Sequence, residues 1–117
     1  MKKKKKILVV TDEESMGKLF NDFLSPKGYE VSICENGKTA LSKIQTDFVP
    51  DMVMTDLMML GMDGLKLTKK IKAFMSVPVI IMTSTPELLT VENPADEIII
   101  KPLKLKNLLL TINELIG

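Results

Sequence analysis

A chain of 117 residues with 45% hydrophobic content is long enough to bury one core, and no apolar run reaches the ~20 residues that a membrane-spanning helix needs. Sixteen lysines stand against fifteen acids, but five of them are Lys2 to Lys6, so the remaining eleven leave the body of the chain at net −4. There is no arginine to fork onto base edges or phosphates, and the single Cys34 rules out an internal disulfide.

The basic start lacks the apolar core of an export signal, so a reducing cytoplasm is the expected location. Lys2 to Lys6 are expected to be a solvated lead-in to the first strand, with no nucleic acid bound directly and no membrane contact.

Ile7 to Val10 is continuous, apolar and β-branched, the pattern of a strand buried on both faces. Met16, Leu19, Phe20, Phe23 and Leu24 then recur at helical spacing, closed by Pro26 and Gly28. Tyr29 to Ile33 alternates as a less buried strand, expected near an edge. Asn36 is placed to cap a helix whose stripe is Ala40, Leu41 and Ile44. Pro50 precedes a third strand, Met52 to Asp56. A loop with Gly61 and Gly64 leads to a helix burying Leu67, Ile71, Phe74 and Met75. Val77 to Met82 is the fourth strand. Thr85-Pro86 opens a fourth helix that Asn93-Pro94 stops after about two turns. Asp96 to Ile100 is the fifth strand, and a last helix buries Leu105, Leu108, Leu109, Ile112, Leu115 and Ile116. Strands alternating with helices predict a doubly wound parallel sheet with helices on both faces.

Four of the strands end in polar groups: Thr11-Asp12-Glu13, Asp56, Thr83-Ser84 and Lys101. In open α/β sheets ligands bind at the carboxyl ends of the strands. Asp56 is too far from the following helix to cap it, and a carboxylate there is a candidate nucleophile for a phosphoryl group. Asp12 is either a helix cap or a metal ligand. Two carboxylates at one sheet edge repel unless a cation lies between them, and Mg²⁺ is the natural hard ion. Thr83 is a hydroxyl donor or a cap, and Lys101 a strand-end charge or a phosphate clamp. The methionines at 52, 54, 58, 59 and 62 invite a soft-metal reading, but with no His and no paired Cys they are better explained as core filling.

These stretches, with Gly28-Tyr29-Glu30-Val31, Asp56-Leu57-Met58-Met59-Leu60-Gly61-Met62-Asp63-Gly64, Pro78 to Ser84 and Ala95 to Leu103, closely resemble the receiver domain of two-component response regulators, the CheY-like superfamily. The resemblance covers essentially residues 1–117 as a single domain. It implies a flavodoxin-like sheet of order 2-1-3-4-5. It implies that Asp56 accepts phosphate from a histidine kinase or phosphotransfer protein, with Mg²⁺ held by Asp12, Asp56 and the backbone carbonyl of Met58. Thr83 would be the switch hydroxyl and Lys101 the phosphate partner, with a cis peptide before Pro102. Such a domain catalyses at most its own phosphorylation and dephosphorylation and is not a metabolic enzyme. Its output partner is not named by the sequence.

Four features depart from the family. Thr11 stands where an acid is usual, Leu60 where Pro is usual, and Ile98 where an aromatic is usual. The stretch from Thr83 to Lys101 is about one helical turn short. These departures keep a second reading open, a degenerate receiver that binds partners without phosphorylation. An aspartyl phosphatase is disfavoured, because Met58 occupies the place of the second acid such enzymes need.

Overall fold

The computed structural model describes residues 3–89 and 93–117. Five parallel strands, β1 (Lys5–Val10), β2 (Tyr29–Cys34), β3 (Met52–Asp56), β4 (Val79–Thr83) and β5 (Glu97–Ile100), form one sheet in the order 2-1-3-4-5. Four α-helices, α1 (Glu14–Leu24), α2 (Gly37–Thr46), α3 (Gly64–Lys72) and α4 (Leu105–Ile116), cover it. The doubly wound architecture expected from the alternation is the one found. No helix among the described residues is long and apolar enough to cross a membrane.

The continuous apolar runs make sense once both sheet faces are covered. Side chains alternate between faces along a strand. Ile7 and Val9 of β1 join Met52 and Met54 of β3 in a layer closed by Phe20 and Leu24 of α1 and Leu108 and Ile112 of α4. Leu8, Val10 and Val53 face the other way, onto Ala40 and Ile44 of α2 and Leu67 and Ile71 of α3. All four residues from Ile7 to Val10 are fully buried. Each such side chain is worth about 1.5–3 kcal/mol. A one-residue slip would exchange the two layers, which is why register is strongly specified.

The register fixes where the strands stop. Val10 pairs with Thr55, Asp56 with Met82, and Thr83 with Ile100. The polar residues that follow these positions therefore gather along one edge. Asn36 caps α2 as expected, accepting from the Thr39 N–H at 2.8 Å, and β2 lies at the sheet edge.

Several expectations need correction. The predicted two-turn fourth helix is a single 3-10 turn, Pro86–Leu88, and Thr90 to Glu92 of that stretch lie outside the described residues. Thr85 makes no side-chain cap there. A helix this short forms too few internal bonds to offset its nucleation. Leu19 on α1 and Phe74 are exposed. The last turn of the predicted third helix is absent, so Phe74 lies beyond α3. The lysine lead-in is partly strand, since β1 begins at Lys5.

Candidate functional site

Asp56 is the last residue of the central strand β3 and is only 3% exposed. Its backbone is held from three sides. The Leu57 N–H donates to the Met82 carbonyl at 2.9 Å, continuing the ladder to β4. The Thr55 hydroxyl donates to the Asp56 carbonyl at 2.9 Å. The Gly64 N–H donates to the Leu57 carbonyl at 2.8 Å, folding the loop between β3 and α3 back over the strand end. A Cβ on Gly64 would fall 2.2 Å from the Asp56 carbonyl oxygen, so this close approach requires glycine. Asp63 then caps α3, its Oδ1 accepting from the Lys66 N–H at 2.8 Å. Gly61, with φ of 81°, makes the left-handed turn between them.

The two carboxylate oxygens of Asp56 have different neighbours. Lys101, just past β5, places Nζ 2.8 Å from Oδ1. The peptide following it, before Pro102, is cis, as the resemblance implies. Oδ1 is a buried acceptor with this ion-pair neighbour and no hydrogen bond from any other group. Oδ2 receives the Thr11 hydroxyl at 2.5 Å. The same Thr11 oxygen accepts from the Glu13 N–H at 3.1 Å, which orients its proton toward Asp56.

The sequence marks Thr11 only as the place of a missing acid. A hydroxyl at a strand end beside a second strand-end carboxylate was the available signal that it would instead donate to it.

Thr83 is buried at the end of β4, with its hydroxyl turned to the following loop. It accepts from the Thr85 N–H at 2.9 Å and lies 3.2 Å from the Thr85 hydroxyl. Asp12 is exposed on the bend after β1 and does not cap α1, whose N-cap position is Glu13 with no side-chain bond. It lines two open clefts, of about 590 Å³ toward Leu60 to Met62 and about 630 Å³ toward Thr11 and Asn21. Met58 is also exposed.

Among the described residues, no group of three or more His, Cys, Asp or Glu is placed to hold a metal ion. Asp12, Asp56 and the Met58 carbonyl offer oxygen donors only, the chemistry that suits a hard divalent cation.

Residues 7–113 match the family model described as the response regulator receiver domain. The DNA-binding response regulator MtrA of Mycolicibacterium paratuberculosis is 31% identical over 109 residues, which are 90% of this chain and 48% of that protein. The transcriptional regulatory protein BaeR of Escherichia coli is 35% identical over 101 residues, 83% of this chain and 42% of the relative. The chain therefore spans about half the length of these relatives. Among solved structures, the response regulator protein TrrA from Thermotoga maritima, in complex with Mg(2+)-BeF, superposes with a TM-score of 0.85 at 31% identity. It covers 95% of this chain and 98% of that one.

Proposed function

Because the chain belongs to the response regulator receiver family, a family of signalling modules, we propose that residues 1–117 form one phosphoacceptor receiver of a two-component system or phosphorelay. Asp56 takes its phosphoryl group from a histidine kinase or phosphotransfer protein in the cytoplasm. The observation that carries this reading is the asymmetric carboxylate of Asp56. It is buried, charge-balanced by Lys101 at 2.8 Å, and keeps an Oδ1 lone pair that no hydrogen bond occupies.

In this account Oδ1 is the nucleophile. Lys101 balances the charge of the carboxylate and then pairs with the negative oxygens of the incoming group. Thr83 turns its hydroxyl from Thr85 to a phosphoryl oxygen. Asp12, Asp56 and the Met58 carbonyl would hold Mg²⁺. When bound, that ion neutralises the crowded carboxylate and phosphate charge.

The match covers 48% of MtrA, so the DNA binding in that relative's name is not carried to this chain, and no nucleic acid or membrane contact is proposed. The output partner is a protein or domain still to be identified. A second reading, a receiver that binds partners without phosphorylation, is favoured by the single 3-10 turn at Pro86–Leu88 and by Ile98. Incubation with acetyl phosphate and Mg²⁺, followed by intact-mass measurement, separates the two. The first reading expects wild type to gain one phosphoryl group and Asp56→Asn none. No gain in wild type selects the second.

A further inference from the structure

The two oxygens of Asp56 are not equivalent: Lys101 pairs with Oδ1 and Thr11 bonds Oδ2. We propose that Thr11 is a positioning residue for phosphoryl transfer, one that selects Oδ1 as the attacking atom and shortens the life of the phosphorylated state. This rests on the acceptor role proposed for Asp56. Thr11 is 3% exposed, and its hydroxyl bonds Oδ2 at 2.5 Å while the Glu13 N–H holds the other side of that oxygen. Its proton is thereby directed at Oδ2, while Oδ1 takes no hydrogen bond and faces the Lys101 ammonium at 2.8 Å.

In transfer, Oδ1 forms a bond to phosphorus as the bond from phosphorus to the donor atom breaks, the imidazole nitrogen of a phosphohistidine or the carboxyl oxygen of acetyl phosphate, and the donor departs with that electron pair. Oδ2 becomes the carbonyl oxygen of an acyl phosphate. In hydrolysis a water oxygen bonds to phosphorus and the P–Oδ1 electron pair returns to Asp56. The proton of that water leaves with the phosphate, and negative charge spreads again onto Oδ2. A hydroxyl bonds a charged oxygen about twice as strongly as a neutral one. The Thr11 bond therefore strengthens as the acyl phosphate breaks, and an interaction that grows toward the transition state accelerates the step. An acid at position 11 would have no proton to donate at neutral pH.

The test loads wild type, Thr11→Val and Thr11→Ser with acetyl phosphate and Mg²⁺. Each protein is exchanged into EDTA, and loss of the phosphoryl group is followed by intact mass. Chelation leaves the decay to the chain's own groups. Thr11→Val is expected to hold its phosphoryl group roughly fivefold longer than wild type or more, the scale of the difference between a hydrogen bond to a charged oxygen and one to a neutral oxygen. Thr11→Ser, which restores the hydroxyl, is expected to decay within about twofold of wild type, a residual allowed for its freer rotamer. If thermal melting shows Thr11→Val unfolded, Thr11→Ala replaces it in the same comparison. Loaded proteins that decay at equal rates, or a serine variant as slow as valine, overturn the inference and leave the acceptor role standing. A wild type that takes up no phosphoryl group overturns both.

Discussion

The hydroxyl of Thr83 is committed to Thr85, accepting its N–H at 2.9 Å and sharing a hydroxyl contact at 3.2 Å. To donate to a phosphoryl oxygen on Asp56 it must turn its proton from the Thr85 hydroxyl, which loosens the anchor of the loop that opens the Pro86–Leu88 turn. On β5 the half-buried Ile98 is stiff at χ1 and has no ring to swing into vacated space. A ligand shifts a conformational equilibrium only through its differential affinity for the two states. Beryllofluoride with Mg²⁺ is therefore expected to move the backbone amide resonances of Met58, Thr83, Thr85 and Lys101, with little change along the rest of 96–116. Large changes spread through that stretch, or dimerisation driven by beryllofluoride, would show coupling by another route.

Replacing Thr11 by Asp removes the hydrogen bond to Asp56 and puts two like charges together at a buried strand end. In EDTA, Thr11→Asp is expected to be less stable than wild type by about 1–3 kcal/mol. Mg²⁺ should reverse the order in affinity, binding the variant more tightly by about 1 kcal/mol, the scale of one charge contact at high effective dielectric. Thermal melting with and without Mg²⁺ and titration calorimetry read the two effects. Equal affinities would show that position 11 does not face the ion.

Gly64→Ala is expected to destabilise the fold by about 1–3 kcal/mol, the usual cost of overpacking, because its methyl group would meet the Asp56 carbonyl at 2.2 Å. Urea unfolding measures the loss, and phosphoryl uptake by the folded fraction should fall with it. An alanine variant of unchanged midpoint would mean the loop over β3 relaxes freely.

Burial pushes the Cys34 thiol above its ordinary range, the nearby Lys43 opposing this only in part. The folded protein keeps its thiol proton where the unfolded chain has lost it. This contribution to stability is full below the unfolded thiol's pKa and is lost as pH rises through the folded value. Alkylation of the native protein should need more alkaline pH than alkylation of the urea-unfolded chain. Coincident pH profiles would contradict the burial argument.

The strands were legible because buried parallel strands need continuous β-branched runs, and Ile7 to Val10 can be little else. The cap at Asn36 was legible because it is a local bond, made within three residues. The fourth helix was not, since Thr85-Pro86 carries a start signal whatever follows, and only the close Asn93-Pro94 leaves too little chain to propagate it. Strand-end chemistry placed Asp56 and Lys101 on one edge, and their 2.8 Å approach fits that placement. The Thr11 hydroxyl on Asp56 spans 45 residues, a separation at which spacing along the chain carries no information.

Asp56, and no other carboxylate, is expected to accept the phosphoryl group. An acyl phosphate is reduced by borohydride to an alcohol, which marks the acceptor permanently. After acetyl phosphate, Mg²⁺ and borohydride, cleavage at lysine releases residues 44–66, which contain Asp47, Asp51, Asp56 and Asp63. Fragmentation of that peptide should place the reduced residue at Asp56 alone. Reduction at Asp12, or at any of the other three, or no reduced residue in a protein treated at saturating Mg²⁺, would contradict the account.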